Sequence, residues 1–149
     1  MGYERVYTIM DFFDGPRKGI ADFDGQPHFY ESECGDTAGE PSEAVFRLSP
    51  IEPSVFDAAM EAWRIYERWE KAYYAGTTTD DALPPLPGDR GRWRFLDQVL
   101  AARLRIDSGD CVRARGDFKA SAGRVHDGLS GCSFEVMWSL VESRSQDGA

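Results

Sequence analysis

Histidine and cysteine, the side chains that most often carry catalysis or bind metal, are scarce in this chain, which has 2 histidines and 3 cysteines among 149 residues. Cys34, Cys111 and Cys132 show no short ligand-like spacing, which favours reduced thiols over a disulfide scaffold or a zinc site. The sequence also has no nucleophile motif, phosphate-binding loop or dinucleotide fingerprint. We therefore predict no cofactor, no metal site and no catalytic residue, and an enzyme is the less favoured class.

Apolar runs long enough to cross a bilayer are also missing. No stretch approaches the roughly 20 apolar residues of a membrane-spanning helix. The first residues, Met-Gly-Tyr-Glu-Arg-Val, have no apolar segment behind a basic one, so no secretory signal is indicated. Together with the thiol interpretation, these features predict a soluble cytoplasmic protein with no membrane partner.

Basic residues are too few to balance the acidic ones. The chain has 17 Lys and Arg against 26 Asp and Glu, a formal net charge of -9. This charge disfavours nucleic acid as a partner and makes a basic protein or a small basic ligand the natural choice. Aromatic residues make up 13% of the chain, more than a disordered acidic protein carries, so we expect it to fold.

The length and the hydrophobic patterns predict one α+β domain over residues 1–142, followed by a polar tail over residues 143–149. Period-two runs at both ends and period-3.6 runs between them predict a mainly antiparallel sheet, in ββββααββ order, with two helices packed on one face. The first helix is expected to begin with a capping box formed by Ser54 and Asp57, and to end at Gly76.

Two turn signals lie in the segment from Asp11 to Glu33, which we take as the centre of the fold. Asp24-Gly25 is typical of a type I′ turn, in which both central residues have positive φ. This turn sets a register with Ala21 opposite His28 and Lys18 opposite Glu31. Gly15-Pro16-Arg17-Lys18 is interpreted as a type I turn, and it would set Asp11 opposite Asp22.

The two registers divide the hairpin residues between two faces. The face that includes Val6, Met10, Phe12, Ala21 and Tyr30 is the predicted core, whereas the opposite face carries an acidic cluster of Asp11, Asp22 and Glu31. Like charges directly opposite are destabilising unless a cation, a shared proton or solvent relieves them. Solvated, splayed carboxylates are the favoured interpretation, and a shallow site for a basic group or a hard cation is the alternative.

Five residues are the candidates for binding a ligand or partner: Asp11, Arg17, Asp22, His28 and Glu31. His28 lies on the predicted core face, where a half-buried structural role is favoured over that of a general base. The other histidine, His126, is interpreted with Asp127 as a solvated pair in a loop. The aromatic stripe of the first helix exceeds what a two-helix layer needs, so part of it is expected to stay exposed for a partner.

The sequence thus predicts a non-enzymatic module that binds a protein or a ligand. Two alternatives remain open. An immunity-type or other toxin-neutralising protein would use the acidic surface against a basic partner. A small enzyme would instead have a site between the sheet and the helices, around His28 and the acidic residues.

Overall fold

A computed structural model describes residues 2–33, 44–78, 83–120 and 128–141. The elements are β1 (Glu4–Phe12), β2 (Pro16–Phe23), β3 (Gln26–Ser32), β4 (Val45–Pro50), α1 (Pro53–Tyr74), α2 (Arg90–Arg103), β5 (Val112–Ala120) and β6 (Phe134–Leu140). Short 3-10 helices, Pro87–Asp89 and Leu129–Gly131, precede α2 and β6. The α+β class is confirmed. Cys34, His126, Asp127 and the tail over residues 143–149 lie outside the described ranges.

The sheet closes into a six-stranded barrel, a feature that the sequence did not predict. Each strand pairs antiparallel with the next, and β1 closes the ring by pairing with β6 at Glu4↔Val136 and Arg5↔Glu135. Periodicity reports which face of a strand is apolar, but it does not report whether the first and last strands meet. Closure was therefore invisible in the sequence patterns.

The second hairpin has the predicted register. Asp24 and Gly25 have φ values of 56° and 77°, as a type I′ turn requires. Lys18↔Glu31 and Ala21↔His28 are strand partners, and so are the pairs between them. The Asp-Gly signal was sufficient here because the two flanking strands pair without a bulge.

The predicted register of the first hairpin is wrong. Asp11 pairs with Lys18 rather than with Asp22, and Phe12 pairs with Pro16. The turn therefore lies before Pro16, where Asp14 and Gly15 have φ values of 58° and 127°. Pro16 begins β2 instead of occupying the turn. β1 also shifts register at three points along its pairing with β2, and such bulges cannot be read from an alternating pattern.

The barrel interior is a packed aromatic core. The rings of Tyr30, Phe46, Phe118 and Trp138 lie with their centroids between 5.3 and 6.0 Å apart. Gly116 leaves the space for this packing, since a Cβ there would lie 2.7 Å from a ring carbon of Trp138. The interior is therefore filled by side chains, as in small barrels generally. Val6, Ala21 and Tyr30 of the predicted core face pack there, whereas Met10 and Phe12 of the same predicted face are exposed.

A second core lies outside the barrel, beneath the helices. Ile20 and Phe29 point outward from β2 and β3 and are buried against α1 and α2. Their helix partners are Val55, Ala59, Leu100 and Leu104. The outward face of the second hairpin is thus covered by helices in its middle, whereas the sequence interpretation favoured a solvated face.

The two helices run antiparallel, and ion pairs join them along their length. Glu52 at the start of α1 pairs with Arg103 at the end of α2, and Arg68 pairs with Asp89 at the other end. The predicted capping box is wrong, because α1 begins at Pro53 and no side chain caps it. The predicted stop at Gly76 is confirmed, with φ of 75° directly after the last turn. No helix in the described ranges is long and apolar enough to cross a membrane.

Candidate functional site

A cleft of about 630 Å³ lies between the second half of β1 and the two helices. The residues that line it come from four regions of the fold: β1 (residues 8–12), α1 (Ala59, Ala62, Trp63, Tyr66), α2 (Trp93, Asp97, Leu100, Ala101, Leu104) and the neighbouring Lys18, Phe29, Pro84 and Leu129. On each helix the lining residues recur at three- and four-residue spacing, so one stripe of each helix faces the cleft.

The floor of the cleft is apolar and its α1 wall is aromatic. Phe29, Leu100 and Leu104 are buried at the floor. The rings of Trp63 and Tyr66 stack along α1 with centroids 5.3 Å apart and an interplanar angle of 23°. The cleft therefore offers flat, apolar contact surfaces of the kind that hold small organic molecules.

The rim on β1 carries exposed apolar side chains. Met10 and Phe12 remain 45% and 44% exposed. The register of β1 with β2 shifts between Ile9 and Asp11 and again before Phe12. Bulges of this kind redirect side chains from their regular alternation, which explains why consecutive residues of β1 all line the cleft.

A buried carboxylate, Glu70, anchors one end of the cleft. Glu70 is 3% exposed and accepts hydrogen bonds from the Tyr66 hydroxyl at 2.8 Å and from the amides of Leu129 and Ser130 at 3.1 and 2.8 Å. The Ser130 hydroxyl also donates to it. Burial, followed by the bond to Glu70, raises the pKa of Tyr66, so this phenol stays protonated and donates. We call Glu70 and its three hydrogen-bonding partners, Tyr66, Leu129 and Ser130, the Glu70 latch.

The sequence interpretation missed the Glu70 latch, although a signal was present. Glu70 follows Tyr66 by four residues and therefore falls on the apolar stripe of α1, where a charged residue is out of place. Gly128 allows the close approach, because a Cβ there would lie 2.2 Å from the carboxylate carbon of Glu70. The latch thus fixes Leu129 at the boundary of the cleft.

A second, more polar compartment of about 390 Å³ adjoins the cleft. The two share Thr8, Ile9, Trp63 and Leu129 as lining residues. The charged groups that line the second compartment are Arg5, Glu67 and Glu135. Burial is the main cause that raises the pKa of Glu67 above its ordinary value.

The structure separates the acidic residues that the sequence interpretation grouped. Asp11 lines the cleft, whereas Asp22 accepts a hydrogen bond from the Tyr7 hydroxyl at 3.2 Å and leaves its other oxygen buried without a partner among the described residues. Across the sheet, a row of charges replaces the proposed cluster. From β1 to β5 its members are Asp11, Lys18, Glu31, Arg47 and Arg113.

Arg17 and His28, the remaining two candidate binding residues, lie away from the cleft. Arg17 lines a separate cavity of about 380 Å³ at the end of the first hairpin, and its Nε donates to the Phe13 carbonyl at 2.8 Å. His28 is half-buried, with Nδ1 2.8 Å from the Gln26 carbonyl oxygen and its ring edge-on to Phe23. Asp11 is thus the one candidate among the five that lines the cleft.

The described part of the chain shows no group of three or more His, Cys, Asp and Glu residues arranged to hold a metal ion. Cys111 and Cys132 are free thiols. Comparison of the chain with protein-family models, with curated proteins and with solved structures finds no match. The chemistry of the cleft therefore has to be inferred from its own residues.

Proposed function

We propose that this protein is a non-enzymatic module that binds a small, largely apolar organic ligand in the cleft between β1 and the helices. The cleft itself carries the proposal. Its volume of about 630 Å³ falls within the range of about 300–1,000 Å³ that is usual for ligand sites. An apolar floor with a few polar groups at the edges is also the usual composition of such sites.

The exposed rim supports the same proposal. Met10 and Phe12 present apolar area to water next to the open cleft. Covering such area is favourable by roughly 25 cal/mol per Å². A ligand that enters the cleft would bury the rim together with the faces of Trp63 and Tyr66, and this burial would supply most of its affinity.

Binding is favoured over catalysis by the kind of polar groups that line the cleft. Neither His28 nor Cys111 nor Cys132 is among the described residues that line the cleft, and the phenol of Tyr66 already donates to Glu70. A paired nucleophile and base, which acyl or phosphoryl transfer without a cofactor would need, is absent from this lining. The enzyme alternative placed its site between the sheet and the helices, around His28 and the acidic residues. Asp11 lines the cleft, but His28 lies away from it.

The toxin-neutralising alternative draws no specific support from the described surface. It requires free acidic groups, but several carboxylates are already paired with arginines: Glu33, Glu52, Glu61 and Asp89. A cytoplasmic location remains part of our proposal and rests on the scarcity of cysteine and on the free thiols of Cys111 and Cys132.

The proposal is tested by filling the cleft. Ala101 and Ala102 are adjacent and exposed on α2, but only Ala101 lines the cleft. We expect the neutral fluorophore N-phenyl-1-naphthylamine to bind the unmodified protein saturably. Ala101→Trp should weaken this binding at least about tenfold, a loss of about 1.4 kcal/mol. Ala102→Trp, the matched control, should leave the affinity within about twofold.

The measurement is a fluorescence titration, with thermal unfolding used to check that both variants fold. Equal weakening by the two substitutions would contradict the proposed site. So would the lack of any saturable binding to the unmodified protein.

A further inference from the structure

Among the described residues that line the cleft, the charged groups are unequal in number. Asp11 on β1 and Asp97 on α2 contribute two carboxylates, and Lys18 on β2 contributes one ammonium group. Within the described ranges neither carboxylate makes a hydrogen bond or an ion pair. Both negative charges are therefore available to a ligand.

The single ammonium group of Lys18 can offset only one of these two charges. Lys18 has Asp11 as its strand partner on one side and Glu31 as its strand partner on the other. Glu31 in turn has Arg47 as its other strand partner. Asp97 lies on α2 and therefore has no strand partner of either charge.

Aromatic rings line the same cleft as these carboxylates. The face of an aromatic ring carries partial negative charge and attracts a cation within about 6 Å of its centroid, most strongly at tryptophan. Trp93 and Asp97 lie four residues apart on α2, so the indole and the carboxylate are neighbours on one helix face. Trp63 and Tyr66 provide further ring faces on α1.

The adjoining compartment supplies no surplus positive charge. Its lining contains Glu67 and Glu135 against Arg5. The guanidinium of Arg5 already lies 4.5 Å over the ring of Tyr7. Glu135 has Lys119 as a partner at 3.8 Å. Glu67 makes no ion pair among the described residues, although Arg64 and Lys71 partly oppose the rise of its pKa.

We infer that the ligand of the cleft is an organic cation, an amine or quaternary ammonium group attached to an apolar or aromatic body. This inference rests on the proposed function, because it assigns the charge of the ligand that the cleft binds. The body packs on the floor formed by Phe29, Leu100 and Leu104. The cationic group is held by Asp11, Asp97 and the ring faces.

The test uses three probes that share one skeleton and differ in charge: 1-naphthylmethylamine, 1-naphthalenemethanol and 1-naphthoate. Their affinities are measured by isothermal titration calorimetry at pH 7 in low salt. We expect the amine to bind at least about tenfold more tightly than the naphthoate, with the alcohol between them. The advantage of the amine should shrink as salt is raised, because screening weakens exposed charge interactions.

Three matched substitutions locate the effect. Asp11→Asn and Asp97→Asn should each weaken binding of the amine roughly two- to tenfold and change binding of the alcohol less than about twofold. Asp57→Asn is the control, because it removes the same charge from an exposed position on α1 outside the cleft. It should leave both affinities unchanged.

The outcomes separate this inference from the proposed function. If the amine and the alcohol bind equally and Ala101→Trp blocks both, the cleft binds ligands but the inferred charge is wrong. A preference for naphthoate would also overturn the inference and would make Lys18 the partner of the ligand. If none of the three probes binds saturably, both the inference and the proposed function are contradicted.

Discussion

Glu67 and Glu70 lie on neighbouring turns of α1, but their carboxyl groups differ in how many hydrogen bonds they accept. Glu70 is buried and accepts four hydrogen bonds, from Tyr66, from Leu129 and twice from Ser130. Glu67 is half-buried, and burial is the main influence on its pKa. Burial without compensating donors disfavours a carboxylate, whereas a full set of donors stabilises it.

For Glu67 we predict that Glu67→Gln stabilises the protein at neutral pH. Its pKa is raised in the folded state, so its favourable contribution is present below the unfolded pKa of about 4.3. That contribution is lost as the pH rises through the folded-state value, because the charged form is poorly solvated. Glutamine mimics the neutral form at every pH.

The measurement for Glu67→Gln is the midpoint of thermal unfolding at two pH values. The substitution should raise the midpoint at pH 7. At about pH 3.5 the Glu67 side chain is mainly neutral in both the folded and the unfolded state, so the variant and the unmodified protein should have the same midpoint. A lower midpoint at pH 7 would mean that Glu67 has a stabilising partner.

For Glu70 we predict the opposite effect: Glu70→Gln should destabilise the protein. Glu70→Gln keeps the shape of the side chain but turns an NH₂ group toward donors, so at least one buried amide or hydroxyl loses its acceptor. Such losses cost about 1–3 kcal/mol each. Urea unfolding should show this loss, and hydrogen exchange at the amides of Leu129 and Ser130 should accelerate. Unchanged stability and unchanged exchange would contradict the latch.

At the scale of elements, the two hairpins show what local sequence can specify. Asp24-Gly25 defines a turn by its own backbone requirement, and the register of β2 with β3 follows from it. The first turn offered a proline signal, but Pro16 is equally acceptable as the first residue of a strand. In the structure β1 shifts register on both sides of Asp11, a feature that the local turn signal does not contain.

The corrected register is tested by two double-mutant cycles. Asp11 and Lys18 are strand partners, so Asp11→Ala and Lys18→Ala should show a favourable coupling of about 0.2–1 kcal/mol. The cycle between Asp11 and Asp22 is the control and should give a coupling indistinguishable from zero. Coupling in the second cycle but not in the first would restore the register that we reject.

At the scale of the whole molecule, the sequence predicted the α+β class and part of the inner core but not the site. The cleft exists where β1, α1 and α2 fail to pack closely, and a gap of this kind depends on the positions of all three elements. Asp97 illustrates the difficulty, because its place on the polar side of α2 gives no sign that it borders a cavity. Asp11 was proposed as a binding residue and does line the cleft, but for a reason unrelated to the acidic cluster.

The central claim, that the cleft is a ligand site, is tested most directly by the four tryptophans. Trp63 and Trp93 line the cleft, whereas Trp138 lies in the barrel core and Trp69 lies farther along α1, outside the lining. Each indole NH gives a separate signal in a two-dimensional ¹H–¹⁵N spectrum. On titration with 1-naphthylmethylamine, our account predicts saturable shifts of the Trp63 and Trp93 signals while those of Trp69 and Trp138 stay in place. Shifts confined to Trp69 or Trp138, or no saturable shift at any of the four, would contradict it.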